Sequence, residues 1–418
     1  MWDSLLQLAS TAEFWKFASI PLISALVGYV TNVIALKMTF FPLEFVGVGR
    51  LGWQGIIPSR AGAMAGKAVD LLTENLISIE DRFDQIEPER ASEELEPALH
   101  RSLLRIIEET MEEQAPVLWE SVPRMVKNRL LLKAADDLPE VIEVLMLDIK
   151  NHISELFDLR AMVVEELESD PELLNQIFLK VGEKEFRFIE RSGFYFGLLF
   201  GLVQMTFFGL ASYLNWPSGW ILPTAGLLVG WATNVLALRM IFQPLRKRKV
   251  GLWTFQGLFL QRQMRVADAY ARIVSSRILT SQNILERLVS GPSSERMKSL
   301  VELHVKRAID ETAGISKPLF QLTRGIQQYV QLKQTIAQRF AEDLPLSVRY
   351  LFDYAEEALD IENTLRTKMQ SLGPVEFVSF LRPVFQEDEW KLILVGAVLG
   401  FLAGMAQLIL IFGGTLFG

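Results

Sequence analysis

The chain has 418 residues, half of them hydrophobic, and a formal net charge of −8. That acidic balance argues against a general nucleic-acid binder, and the absence of cysteine excludes disulfides, thiolate metal sites and thiol nucleophiles. The apolar residues gather in a few blocks separated by charged, helix-forming sequence, the profile of a multi-pass membrane protein with substantial soluble parts.

A helix that crosses the hydrocarbon core needs roughly 20 apolar residues at 1.5 Å rise each. Four blocks meet this, at about 17–41, 194–214, 220–242 and 392–416. The first has an apolar core too long for a signal peptide and lacks a basic leader, since Trp2 and Asp3 come first and Lys16 is the only early cation; it is expected to stay as an anchor. The first block closes on "GYVTNVIALKMTFFPL", from Gly28 to Leu43, which places Thr31 and Asn32 inside a membrane helix. The second and third are joined by "NWPSGW", a Pro/Gly turn with two tryptophans suited to the interface.

Between the first two blocks runs a helical arm, broken by Pro88, Pro97, Pro116, Pro123, Pro139 and Pro171. Leu145, Ile149, Ile153, Leu156 and Leu159 follow the 3.6-residue period within it, and Asp170-Pro171 with Glu172 predicts a helix start. Its stretch "EDRFDQIEPERASEELEP" is strongly acidic, either a solvated helix face or a surface for a basic partner or divalent cations. The second arm shows the same pattern in Leu322, Ile326, Val330, Ile336 and Phe340, with breaks at Pro292, Pro318, Pro345, Pro374 and Pro383. No run alternates like a sheet of any size. The arms are expected to pack as antiparallel amphipathic helices against each other or against another chain.

The third block ends in "GWATNVLALRMIFQPL", from Gly230 to Leu245, and repeats the first. At an offset of 202 without gaps, Pro21 lies over Pro223, Gly28 over Gly230, Thr31 and Asn32 over Thr233 and Asn234, Pro42 over Pro244, Gln54 and Gly55 over Gln256 and Gly257, and Arg60 over Arg262. Nineteen of 45 positions are identical, which marks a duplication rather than two unrelated helices. The closing helices match too: "GLLFGLVQ" from Gly197 lies over "GFLAGMAQ" from Gly400. The expected fold is therefore all-α, an integral membrane protein with four transmembrane helices in two parallel tandem repeats. The first repeat spans 1–215 with its arm at 42–190, the second 216–418 with its arm at 243–389. A pseudo-twofold axis should lie along the membrane normal.

Lys37 and Arg239 close the first and third helices, "RKRK" (Arg246 to Lys249) follows the third, Arg187 and Arg191 precede the second, and Lys391 precedes the fourth. By the positive-inside rule both large loops lie in the cytoplasm and both termini on the opposite side of the bacterial cytoplasmic membrane. The basic run has a second reading, contact with anionic headgroups.

An amide side chain without partners is costly in hydrocarbon, so Asn32 and Asn234 face protein or water. Two readings are open: Thr31, Asn32, Thr233 and Asn234 are glue across a helix interface, or they line a polar path or bind a headgroup. Gly197, Gly201, Gly396, Gly400 and Gly404 recur every four residues and predict close helix packing, with Gln204 and Gln407 on nearly the same face as candidate partners of the asparagines. Pro42 and Pro244 should end their helices. The Gly- and Trp-rich stretches that follow are too short to span and are expected along the interface, with Trp53 and Trp253 at headgroup level. Arg60 and Arg262 then hold a phosphate headgroup, hold a carboxylate, or are simply solvated.

This order of residues resembles the bacterial membrane family called domain of unknown function 445, whose pattern is matched here by Thr31, Asn32, Ala35, Met38, Phe40, Pro42, Ile57, Pro58 and Arg60. The second copy keeps Thr233, Asn234, Ala237, Met240, Phe242, Pro244 and Arg262 but has Phe259 and Leu260 where the first has Ile57 and Pro58. The resemblance implies a cell-membrane location and no established activity; if that turn forms a site, the second copy has lost it.

No P-loop, dinucleotide fingerprint, nucleophile elbow or metal-ligand cluster is present. The three histidines, His100, His152 and His304, lie far apart without ligand spacing and are expected at or near helix surfaces. The expectation is a protein with no cofactor and no enzymatic activity. Its partners are the lipid bilayer and, through the arms, further copies of itself or other envelope proteins, with no nucleic acid. The leading reading is a membrane scaffold; the alternative is a transporter or lipid-handling protein using the intramembrane Thr-Asn and Gln residues, and an intramembrane enzyme stands third.

Overall fold

In the computed structural model the apolar blocks form four long helices: Ala12–Phe40, Glu183–Tyr213, Ile221–Phe242 and Glu389–Leu410. The structure describes residues 12–49, 51–214, 219–250, 253–314, 326–382 and 389–413. The expected end of the last block at 414–416, most of the Trp hairpin (215–218), and the positions of Leu322, Pro318 and Pro383 lie outside the described residues. The shortest of the four helices has 22 residues, about 33 Å at 1.5 Å per residue, enough for a hydrocarbon core about 30 Å thick. All four are long and apolar enough to cross a membrane.

The chain divides into two units. One comprises residues 1–68, 165–270 and 367–418 and contains the four membrane helices. Within it the first helix packs along the second and the third along the fourth, and the pairs meet through second–third and first–fourth contacts. Large apolar side chains such as Leu22, Leu199, Phe207, Leu228 and Leu402 point outward, while Ser24, Thr31, Asn32, Gln204, Thr233, Asn234 and Gln407 are buried. A lipid solvent explains the pattern, because it welcomes exposed apolar surface and leaves polar groups to find partners inside. Towards one end Ile20, Phe208, Leu222 and Leu408 form a cluster drawn from all four helices, with the Phe208 and Phe412 rings 4.9 Å apart.

Each of the first and third helices stops two residues before its proline, at Phe40 and Phe242. The Phe41–Pro42 and Gln243–Pro244 peptides are both cis. A two-stranded hairpin follows in each copy: β1 (Val46–Val48) pairs with β2 (Leu51–Trp53), and β3 (Arg248–Val250) with β4 (Trp253–Phe255). Both hairpins are closed by equivalent bonds. Gly55 N–H donates to the Pro42 carbonyl and Gly257 N–H to that of Pro244, while Gln54 and Gln256 Nε2 donate to the carbonyls of Leu43 and Leu245. This accounts for the repeated Gln-Gly, since a Cβ at Gly55 or Gly257 would meet the backbone of Phe40 or Phe242 at 2.7 Å. Trp53 donates its indole N–H to the Met38 carbonyl, and the side chain of Trp253 lies outside the described residues. Ile57 and Pro58 are buried in the turn after the hairpin, and so are Phe259 and Leu260, so the exchange preserves an apolar packing role.

The second unit comprises residues 69–164 and 271–366, one piece from each arm. The arms pack against each other: helix Pro88–Gln114 lies on Leu138–Asn151 of its own arm and on Ile326–Ser347 of the other, and Ser294–Ala313 lies on both of those. Five of the predicted breaks are helix starts, with Pro88, Pro116, Pro139, Pro171 and Pro374 in the first two helical positions, where the missing donor costs nothing. Pro97 and Pro345 are corrections, because they lie inside continuous helices. Burial of Leu95, Ala98 and Leu99 beside Pro97, and of Leu344 and Ser347 beside Pro345, outweighs one lost backbone bond.

Leu145, Ile149, Ile153, Leu156 and Leu159 are all buried but fall on three helices, because the chain turns at His152 and again after Leu156. In the second arm Ile326 and Val330 are exposed, and the buried stripe is Tyr329, Leu332, Ile336, Phe340 and Leu344. Asp170 caps its helix as expected, accepting the Leu173 N–H at 3.0 Å. Glu93, Glu94 and Glu96 of the acidic stretch are solvated. The histidines are less separate than their spacing implies. His304 is buried and its Nε2 lies 2.9 Å from Asp148 Oδ2, and His152 Nδ1 lies 3.0 Å from the same carboxylate.

Candidate functional site

The polar residues inside the membrane unit form two layers. In the first, the Asn32 Nδ2 donates to the Ile189 carbonyl at 2.6 Å and the Asn234 Nδ2 to the Leu392 carbonyl at 2.7 Å. Each asparagine thus reaches from one helix of a pair to the backbone of the other. The neighbouring threonines bond within their own helices, Thr31 Oγ1 to the Gly28 carbonyl and Thr233 Oγ1 to the Gly230 carbonyl, the local bond that serines and threonines make when no better acceptor is near. Ser192 Oγ also donates to the Ile189 carbonyl, so that oxygen is shared.

Glycine makes this approach possible. A Cβ at Gly193 would meet the Gly28 carbonyl oxygen at 2.2 Å, and one at Gly230 would meet that of Gly396 at 2.0 Å. Gly197 and Gly201 face Ser24, Ala25 and Pro21; Gly400 and Gly404 face Gly226, Leu222 and Pro223. The glycines picked out by spacing sit in the helix contacts, and Gly28, Gly193, Gly226 and Gly230 join them.

The second layer separates the copies. Ser24 Oγ donates to Gln204 Oε1 at 2.9 Å. The position over Ser24 in the second copy is Gly226, which supplies no hydroxyl, and the buried Gln407 Nε2 has no protein partner. Neither glutamine is bonded to an asparagine, contrary to the pairing expected from their shared face. The reason is axial offset: Gln204 stands opposite Ser24, two turns from Asn32.

Two small voids accompany these layers. One of about 30 Å³ is bordered by Asn32, Asn234, Thr39, Phe186, Phe259 and Leu392. The Asn32 Oδ1, which has no protein partner, belongs to a residue on its wall. The other, about 10 Å³, lies among Ser24, Gln204, Gly226, Gly400 and Gln407. Such volumes suit about one or two water molecules and no larger solute.

Arg262 places its Nη1 3.4 Å from Oε1 of Glu185, whose side chain is only 2 % exposed. This is the carboxylate contact, one of the three readings open for this arginine, and the arginine side chain is also part-exposed. Arg60 is exposed and its N–H closes the turn on the Ile57 carbonyl. Sequence reasoning missed Asn175, which is buried and donates to the Phe40 carbonyl at 2.5 Å, capping the first membrane helix. Its only signal is an amide within the apolar run "PELLNQIFLKV". Among the described residues no group of three or more His, Asp or Glu side chains could hold a metal ion.

No family model matches the chain, and no solved structure matches it. It is similar to proteins named UPF0754 membrane protein. One from Shouchella clausii is 30% identical over 116 residues, 26% of this chain and 31% of the relative. One from Synechococcus is 32% identical over 133 residues, 31% of each. One from Staphylococcus aureus is 22% identical over 190 residues, 40% of this chain and 50% of the relative. The matches therefore span about a third to a half of these relatives' length. With four apolar helices of spanning length, these similarities identify a helical membrane protein, akin to a group known by its membrane location and not by an activity.

Proposed function

We propose that the chain is a non-enzymatic scaffold of the bacterial cytoplasmic membrane, a tandem duplication related to domain of unknown function 445. Its loops face the cytoplasm, and its arms contact further copies or other envelope proteins. The observation that carries this reading is the closure of both repeated amides on helix backbone, Asn32 on Ile189 and Asn234 on Leu392. Donors spent this way hold helices together and are not presented to a passing solute. The voids of about 30 and 10 Å³ fall far below the roughly 300 Å³ at which small-molecule sites begin. The matched hairpins and Gly contacts support descent of the halves from one unit.

Proteoliposomes test it. Wild-type protein and the Asn32→Leu/Asn234→Leu double variant are assayed for uptake of ions, amino acids and sugars. The scaffold reading expects no saturable uptake by either. Saturable uptake by the wild type that the double variant loses would replace it with the transport reading.

A further inference from the structure

The unit formed by residues 69–164 and 271–366 holds a partly open cavity of about 420 Å³. Protein interiors hold few voids larger than a water molecule, whereas sites for small molecules occupy about 300–1,000 Å³. The wall is almost wholly apolar, with Ile107, Met111, Trp119, Leu130, Ile309 and Phe340 among its residues. Apart from Lys127, the polar side chains of the described wall residues are already bonded: Asp137 Oδ2 accepts from Thr312 Oγ1, and the Tyr329 hydroxyl donates to Asp310 Oδ1. A sugar or nucleotide would find almost nothing to bond.

One cation, Lys127, is among the described wall residues, and its ammonium sits 4.7 Å from the centre of the Trp119 ring. Val126 beside it lines the cavity and is also 53 % exposed, which places the mouth there. Both belong to helix Arg124–Asp136, which carries Arg124, Lys127, Arg129 and Lys133 against a single acid, Asp136. In a chain of net charge −8 this helix is locally cationic. It is also apolar on both sides, because Met125 and Leu132 face solvent while Leu130 and Ala134 face the cavity. Exposed apolar residues set among cations suit an anionic amphiphile.

We propose that this cavity binds the acyl chain of an anionic single-chain amphiphile, a long-chain fatty acid, with its carboxylate at Lys127. The assignment goes beyond the scaffold reading and does not rest on it. The ligand enters beside Val126, its tail replaces the void against Ile107, Met111 and Phe340, and its head stays at the wet rim.

Photo-crosslinking on the full chain in nanodiscs tests the assignment, with a diazirine-bearing palmitic acid and the matching palmityl alcohol as probes. Cross-links are expected on helices Pro88–Gln114, Arg124–Asp136 and Ile326–Ser347, competed away by unlabelled palmitate. Ala308→Phe and Ala134→Phe each fill the cavity from a different helix and should cut that labelling about tenfold. Lys127→Glu should lower labelling by the acid several-fold and leave the alcohol unchanged. Cross-links confined to the membrane helices overturn the site, as would occupation by a partner protein, which keeps the probe off this unit. Labelling that resists competition, or that persists in both cavity-filling variants with cooperative melting intact, overturns it too. An equal response of acid and alcohol to Lys127→Glu overturns the headgroup assignment.

Discussion

Asn32 and Gly193 are fitted to each other: a Cβ at position 193 would lie 2.6 Å from the Asn32 Nδ2 and 2.2 Å from the Gly28 carbonyl oxygen. The second copy repeats the fit, with a Cβ at Gly396 too close to the Asn234 amide and 2.8 Å from the Gly230 carbonyl oxygen. Glycine and amide are thus parts of one device. The bare backbone lets two helices close to a distance at which the amide reaches a carbonyl across the interface.

Gly193→Ala should therefore cost more than Asn32→Leu. The alanine must push two backbones apart and break the Asn32–Ile189 bond, a loss of about 1–3 kcal/mol by overpacking. Removing the amide forfeits an inter-helix bond worth about 1 kcal/mol and also removes an orphaned Oδ1. Thermal unfolding in nanodiscs ranks the two variants; a milder effect for Gly193→Ala would show that the helices have slack at this point.

Gln204 and Gln407 occupy matching places in the closing helices but should respond differently to loss of the amide. Gln204→Leu breaks the bond from Ser24 and should destabilise by about 1 kcal/mol. Gln407→Leu removes a buried donor without a protein partner and should be neutral or stabilising by about 1 kcal/mol. The same unfolding assay compares them, and an equal loss in both would mean that Gln407 is satisfied by something bound in its void.

Much of this was open to view in the sequence and some was not. The four membrane helices follow from apolar run length, and the helix ends at Phe40 and Phe242 from Pro42 and Pro244. The Gly stripe follows from spacing alone. The acceptors of Asn32 and Asn234 had no signal, because both are main-chain carbonyls, those of Ile189 and Leu392, and every residue has one. The different fates of the glutamines turn on Ser24 against Gly226, a difference that carries meaning only once the helices are paired. The hairpins were hidden because three-residue strands are too short for alternation to register. The Asp148–His152 contact is an i,i+4 pair, but the approach of His304 to the same carboxylate depends on how the two arms fold together, which no local spacing encodes.

The contact between His152 and Asp148 gives a pH dependence. His152 is exposed, and its pKa is raised chiefly by the hydrogen bond with the Asp148 backbone carbonyl; partial desolvation opposes the rise, and the negative charges of Asp148 and Glu155 add to it. A histidine whose folded pKa exceeds its unfolded value contributes stability that is fully present below the unfolded pKa, ordinarily about 6.5, and is lost as pH rises through the folded value. Chemical unfolding followed from pH 6 to 8.5, roughly the window around that pKa, should show the wild type losing more stability than His152→Gln. Parallel curves for the two proteins would show that the ring has no preferred charge state in the fold.

Arg262 and Glu185 supply the sharpest contrast between breaking a pair and removing it. The Glu185 side chain is 2 % exposed and Arg262 lies 3.4 Å away, with its own side chain 39 % exposed. Loss of one member of a fully buried pair costs about 3–5 kcal/mol, because the remaining charge is stranded. Solvent at Arg262 weakens the pair, so Arg262→Met should cost about 1–3 kcal/mol. Glu185→Leu leaves a cation that can turn to water and should cost less. The double variant strands no charge and should recover most of the loss, since replacing an ion pair with apolar side chains is often close to neutral. A double-mutant cycle on unfolding free energy in nanodiscs reads the three values. If Arg262→Met costs no more than the double variant, Glu185 has another partner, and Arg262 is released to meet the phosphate headgroups that its place after a membrane helix also allows.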